Sequence, residues 1–169
     1  HIWRWNKFIE LYIYEEAFSK LLSHCFAYGE RNLEVMGFLI GDVYKWKENE
    51  YTVVRDVVTT ELDTTEVSVR FKQDAFDRLF EAMDKLAYDY LLVGWYHSHP
   101  GHRCYLSSTD IETQTRMFKS TFQTAVVMDP HNFELKAYKV KKDEKKLNSR
   151  EKVVEISYAV FGIGPPKVL

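Results

Sequence analysis

Disulfides, membrane spans and a basic surplus are all missing from this chain of 169 residues. Cys25 and Cys104 are its two cysteines. Two thiols so far apart do not make a disulfide framework, and a reducing cytoplasmic compartment is the expectation. No apolar run approaches the roughly 18–20 residues of a membrane span, and no signal-peptide pattern opens the chain. Lys and Arg number 23 against 25 Asp and Glu, a formal net charge of −2. That balance lacks the basic excess of a general nucleic-acid binder. Internal repeats and low-complexity segments are absent too. The chain begins at His1 without a methionine, as a trimmed chain would.

What remains is a folded globular composition, 46% apolar and 15% aromatic, at a length that suits one domain with a sizeable core. An opening strand is expected at 8–13. A helix follows over 15–30, with Phe18, Leu21, Leu22, Cys25 and Phe26 at helical spacing. Residues 35–44 and 51–59 read as strands around the charged turn 45–50. The polar, β-branched stretch 59–69 is expected to lie outside the core. Residues 73–88 form an amphipathic helix, with Phe76, Leu79, Phe80, Met83 and Leu86 placed on one face. The run 90–97 is a buried strand ended by Pro100-Gly101, and Ser107 or Ser108 caps a helix reaching about Lys119. A strand pair at 124–128 and 133–140 turns through Asp129-Pro130-His131-Asn132. The charged run 139–152 is expected to be solvated, with one more strand at 153–160 before a Gly/Pro tail. Strands and helices without strict βαβ alternation point to a single α/β sandwich.

The chemistry gathers at His97-Ser98-His99-Pro100 and, ten residues beyond His99-Pro100, at Asp110. Strand side chains repeat with period two, so His97 and His99 point to the same side and can grip one ion. Two imidazoles and a carboxylate are three ligands of a tetrahedral zinc whose fourth position stays open for water, the arrangement of a catalytic site. Asp110 has a second reading, because Ser107-x-x-Asp110 has capping-box spacing and a helix start favours an acid. The two roles are compatible, since a carboxylate held rigidly at a helix start is a well-oriented ligand. A hydrolytic zinc site also needs a group to carry a proton from the water. Composition leaves Glu30, Glu34, Glu61, Glu66 and Glu112 all eligible.

The segment Gly94 to Gly101, then Cys104-Tyr105-Leu106-Ser107-Ser108-Thr109-Asp110, closely resembles the JAMM (MPN+) metalloproteases. Upstream, Leu33-Glu34-Val35-Met36-Gly37-Phe38-Leu39-Ile40-Gly41 is similar to that family's glutamate-bearing strand. The likeness spans roughly 6–141. It is greatest to the branch found in the proteasome lid, and next to that of the signalosome. The resemblance implies a single MPN (JAMM) domain, a mixed curved β-sheet sandwiched by helices in a cytidine-deaminase-like architecture. Residues 1–141 would form the catalytic domain, and 142–169 a charged linker with a C-terminal strand packing on it or trailing from it.

Residue by residue, the resemblance implies that His97, His99 and Asp110 bind one zinc ion. Glu34 would be the general base, and Ser107 would help hold the oxyanion. It also implies an isopeptidase acting after the C-terminal Gly-Gly of ubiquitin or a ubiquitin-like modifier, with proteasome association. Processing of a ubiquitin-like sulfur carrier and a noncatalytic MPN scaffold are the alternatives. Cys104 lies where the family keeps a structural cysteine. His102-Arg103 replaces an aromatic-glycine pair, and Tyr105 stands for a tryptophan, so the substrate groove departs from the family pattern. His102 could touch substrate or a second metal, against the plain reading of an exposed loop histidine. The family's first insertion loop falls at 59–70. There Thr64, Thr65, Val67 and Val69 supply β-propensity for adding an extended peptide as a strand, an ordinary exposed connection being the alternative. The shortness of the chain suits a truncated piece or a compact single-domain form such as an archaeon would carry.

Overall fold

Side chains on both faces of one central strand decide where everything else packs. The computed structural model describes residues 8–59, 73–85, 89–142, 147 and 151–162. In β4, Leu91–Ser98, Val93 and Tyr96 join one apolar cluster while Trp95 joins another. The strand is therefore buried on both faces. On the first face lies α1, Glu15–Gly29, which turns Ala17, Leu21, Cys25 and Gly29 inward at i, i+4 spacing. Phe18, Leu22 and Phe26 pack beside that row, half-buried. No side chain caps the start of α1. Glu15 and Glu16 in its first turn instead favour the positive end of the helix dipole.

The second face receives α2, Gln73–Lys85, and α3, Ser108–Met117. Leu79 and Met83 of α2 reach the cluster of Met36, Phe38, Ile40 and Trp95. Phe80 does not share that face and is 54% exposed. One residue further along a helix swings the side chain by about 100°, off the buried stripe that Leu79 and Met83 define. The side chains of Phe76 and Leu86 lie outside the described residues.

Among the described residues eight strands form one mixed sheet in the order β7-β6-β5-β4-β2-β3-β1-β8. The remaining strands are β1 (Leu11–Tyr14), β2 (Met36–Trp46), β3 (Asn49–Thr59), β5 (Thr124–Asp129), β6 (Glu134–Lys141), β7 (Lys152–Ile156) and β8 (Tyr158–Phe161). The opening strand is shorter than the run 8–13 suggests: Leu11 to Tyr14 are in register with β3 and β8, with only the Glu10 carbonyl ahead of them accepting the Thr52 N–H. The charged turn tightens to Lys47-Glu48, with Trp46 paired to Asn49 and Lys47 at φ 54°. Antiparallel β2–β4 pairing sets Met36 opposite His97, and parallel β4–β5 pairing sets His97 beside Val127. Thus β4 lies in the middle of the sheet, and its C-terminal end opens onto the second face.

Two expectations fail at the C-terminal side. The single strand at 153–160 is two strands, separated only by Ser157, that bond opposite margins of the sheet: β7 pairs with β6 and β8 with β1. Consecutive strands can reach both margins only if the margins come together, so the sheet is curved. The same curvature corrects the reading of 139–152 as solvated throughout. Lys139 is 5% exposed, and its Nζ meets the Glu10 carboxylate at 3.4 Å where the two margins approach. Among the described residues no helix is long and apolar enough to cross a membrane.

Candidate metal centre and its cleft

Strand β4 delivers the two histidines and α3 the carboxylate. His97 and His99 present Nε2 atoms 2.9 Å apart, and Asp110 Oδ2 lies 3.0 Å from the first and 3.4 Å from the second. All three residues are buried or nearly so. They are the one His/Cys/Asp/Glu group among the described residues whose ligand atoms converge closely enough for an ion. Ligands around a tetrahedral zinc with bonds of about 2.0–2.1 Å stand roughly 3.3–3.4 Å apart, so this triangle needs only a slight spread to fit one. The donor set also suits zinc, two imidazole nitrogens with one carboxylate oxygen.

Each ligand is held by its own local structure. Asp110 is the N3 residue of a capping box: its backbone N–H donates to Ser107 Oγ, and Ser107 N donates to Asp110 Oδ2 at 2.9 Å. Capping and ligand placement therefore coincide in one side chain. His97 lies flat on Trp95, with ring centroids 4.6 Å apart and planes at 14°. The Trp95 indole donates to Gln114 Oε1 at 2.6 Å, and Gln114 Nε2 donates to the Gln123 carbonyl. His99 Nδ1 meets the Arg103 carbonyl at 3.2 Å. A carbonyl only accepts, so Nδ1 carries the hydrogen and Nε2 turns a lone pair toward the cluster.

The electrostatics follow from burial and these contacts. Desolvation lowers the His97 imidazole despite the Asp110 carboxylate beside it, which keeps it neutral and able to ligate. Burial also pulls on His99, but Asp110 and the Arg103 carbonyl outweigh it and raise that imidazole. Desolvation pushes Asp110 up, yet its bonds to His97 and His99 win and hold the carboxyl far below the usual range.

A cleft of about 240 Å³ opens beside the triangle, with Glu34, Met36, Tyr105, Ser107 and Thr109 in its walls. Glu34 is half-buried just ahead of β2. Burial raises its carboxyl, the nearby Asp110 charge adding to this and the His99 and His102 charges working against it. His102 is exposed on the turn after Pro100 and also lines the cleft. Tyr105 is 50% exposed, its ring 5.1 Å from that of His99. The sequence-derived residues Glu34, His97, His99, His102, Tyr105, Ser107 and Asp110 thus meet in one place. Thr64, Thr65, Val67 and Val69 lie outside the described residues.

Cys104 is not part of the triangle. Its thiol donates to the Val127 and Glu134 carbonyls at 3.3 Å each, and burial with the neighbouring Glu134 charge pushes it up to about 12. It acts as a buried anchor for the loop after His99.

Two contributors escape a reading of the sequence. Ser98 sits between the histidines but faces the other way. Its Oγ accepts the Val35 N–H at 2.9 Å, and its own N–H donates to the Val35 carbonyl at 3.0 Å. That two-way link fixes the segment carrying Glu34, just ahead of β2, against the end of β4 that carries His97. The available signal was a serine inside an otherwise apolar buried run, where a hydroxyl needs a partner. Asp129, read as a turn residue, is fully buried and accepts backbone N–H bonds from Gly101, Arg103, His131 and Asn132.

Comparison with known proteins shows the family. Residues 7–121 match the family described as JAB1/Mov34/MPN/PAD-1 ubiquitin protease. The 26S proteasome regulatory subunit RPN11 of Eremothecium gossypii is 40% identical over 124 residues, 71% of this chain and 38% of its own length. The ubiquitin carboxyl-terminal hydrolase RPN11 of Saccharomyces cerevisiae is 37% identical over 125 residues, again 71% of this chain and 38% of its own length. COP9 signalosome complex subunit 5 of Kluyveromyces lactis is 35% identical over 118 residues, 68% of this chain and 30% of its own length. The chain therefore spans less than two-fifths of these relatives. The solution structure of protein DSY2949 from Desulfitobacterium hafniense has a TM-score of 0.61 at 18% identity, covering 90% of this chain and 93% of that one. That likeness concerns the fold alone. With its mixed, curved sheet between helices and its match over most of its length, the chain belongs to the JAB1/Mov34/MPN/PAD-1 (JAMM) family and is a single MPN domain.

Proposed function

We propose that the chain is a zinc-dependent isopeptidase that hydrolyses the bond after the C-terminal Gly-Gly of ubiquitin or a ubiquitin-like modifier. The observation that carries this reading is the convergence of two imidazoles and a carboxylate at a cleft that Glu34 and Ser107 also line. His97, His99 and Asp110 would hold the ion. Bound zinc would bring its water to ionise near neutral pH and polarise the scissile carbonyl. Glu34, its carboxyl raised by burial, is suited to take a proton from water and return it to the leaving amine. Ser107 Oγ accepts the Asp110 N–H, so the hydroxyl hydrogen is left to donate to the oxyanion of the tetrahedral intermediate. The thiols are not needed, because hydrolysis by activated water requires no acyl-enzyme.

The cleft is smaller than the roughly 300–1,000 Å³ of common small-molecule pockets, which suits a slender glycine backbone better than bulky side chains. Relatives named for the proteasome and the signalosome, one of them a ubiquitin carboxyl-terminal hydrolase, support the choice of modifier and of proteasome association. Cleavage of a ubiquitin fusion, read beside zinc content, tests the assignment. Glu34→Gln should keep one zinc per chain and lose cleavage about 10²–10⁴-fold, while His97→Ala should lose both. Normal cleavage by Glu34→Gln would remove Glu34 as the base. Failure of the purified chain to take up zinc would leave a noncatalytic binding module. Faster cleavage of a tailed sulfur carrier than of a lysine-linked conjugate would move the substrate to that class.

A further inference from the structure

The end of β5 grips the loop after His99 at three points. His99 N–H donates to the Met128 carbonyl at 2.9 Å. The next residue, Asp129, then spreads its carboxylate across the loop: Oδ1 accepts the Gly101 N–H and Oδ2 the Arg103 N–H, each at 2.9 Å. Arg103 is held at φ 64°, in the left-handed region that a side chain seldom enters without support. Its carbonyl is the group that accepts the Nδ1 hydrogen of His99. A continuous chain thus runs from a buried carboxylate through the backbone of one residue, Arg103, to an imidazole of the triangle.

We infer that Asp129 is a positioning residue for metal binding, fixing the Arg103 carbonyl and through it the ring orientation and tautomer of His99. The inference rests on the reading of the triangle as a metal centre. Three features argue that the carboxylate does more than close the β5–β6 turn. Its two bonds to the His99 loop are as short as the 2.9 Å bond it takes from His131 in the turn. The carboxylate is fully buried, so water does not compete for it. His97 has no such support: its Nδ1 is buried without a hydrogen-bond partner among the described residues, and it is steadied by stacking on Trp95. Of the two imidazoles only His99 therefore has a hydrogen-bonded outer partner, and Asp129 anchors it.

Asp129→Asn isolates the effect. Oδ1 accepts three N–H groups, so the amide oxygen belongs there and the new NH2 takes the Oδ2 place, against the Arg103 N–H. The Asn132 amide, the other group on Oδ2, can rotate to present its oxygen, whereas the Arg103 N–H cannot. The test measures zinc affinity by chelator competition and the His99 tautomer by nitrogen-15 NMR of the zinc-free protein, at a pH high enough for the imidazole to be neutral. Asp129→Asn should weaken zinc 10–100-fold, the range for outer partners of metal ligands, and turn a single Nδ1–H tautomer of His99 into a mixture. Arg103→Pro, which deletes the N–H and cannot adopt the positive φ, should do the same with Asp129 intact. Asn132→Ala, which removes only a turn contact, should leave affinity within twofold. Wild-type-like affinity and tautomer in both Asp129→Asn and Arg103→Pro would overturn the inference. So would an equal loss in Asn132→Ala, which would reduce Asp129 to a turn stabiliser. A wild-type chain with no zinc affinity would instead overturn the metal centre itself.

Discussion

Replacing Ser98 by alanine removes one oxygen and tests how the segment carrying Glu34 is registered on the strand carrying His97. Ser98 is fully buried and Val35 is 2% exposed, so water cannot replace the lost acceptor. The Val35 N–H would be left unsatisfied, while the reverse bond from Ser98 N–H to the Val35 carbonyl would survive because it is backbone only. Leaving one buried donor without a partner costs about 1–3 kcal/mol. For a domain of this length each kcal/mol lowers the melting temperature by about 2–4 °C, so Ser98→Ala should melt about 2–12 °C below the parent. The measurements are thermal melting and urea unfolding, both followed by circular dichroism on zinc-free protein so that metal linkage does not mask the change. The midpoint should fall while the slope stays constant. Zinc affinity should stay within twofold, because His97 and His99 face away from Ser98, whereas turnover should fall as Glu34 loses its register. An unchanged midpoint would refute the claim that this hydroxyl is required, and a loss of zinc without a loss of stability would place Ser98 in the metal centre.

The orientation of α2 can be checked by paired truncations. Leu79→Ala opens a cavity among Met36, Phe38, Ile40 and Trp95 and should cost about 2–5 kcal/mol, whereas Phe80→Ala should fall within about 0.5 kcal/mol of the parent. Equal losses in urea unfolding would mean that both residues face the core. Acid stability should report Asp129. Burial raises its carboxyl, but the Asn132 amide and the Gly101 and Arg103 N–H groups together hold it well below the ordinary range. A carboxyl depressed in the folded state stabilises above its unfolded value of about 3.9 and loses that contribution as the pH falls below it. Zinc-free wild type should therefore lose more stability than Asp129→Asn between pH 5 and pH 2. Parallel pH profiles would show that the carboxylate carries no such linkage.

The triangle of His97, His99 and Asp110 was legible in the sequence because two short-range rules cover it. Period-two alternation puts His97 and His99 on one side, and capping-box spacing fixes Asp110 at the start of α3. Glu34 was legible only through the family resemblance, since composition left five glutamates eligible and it is the pairing of β2 with β4, some sixty residues apart, that brings this one to the cleft. The same limit hid Ser98 and Asp129, whose partners are 63 and 26–28 residues away. Local periodicity located β7 and β8 as one strand because both halves favour extended chain. What separates them is the curvature of the sheet, a property of all eight strands together. Lys139 was misjudged for that reason also: a lysine in a charged run is ordinarily solvated, and this one is enclosed where the margins meet.

The closing of those margins bears on how the chain is made. Leu11 of β1 pairs on one side with Thr52, but its other partner is Tyr158, 147 residues later. At about 5–20 residues per second, a ribosome needs about 7–30 s to supply that stretch. Throughout that interval the outer edge of β1 presents unpaired backbone groups, the template on which strands of other chains add. Synthesis therefore leaves this domain longest exposed at its first strand, and a chaperone that shields the nascent β1–α1 segment would raise its yield more than one acting on the finished chain.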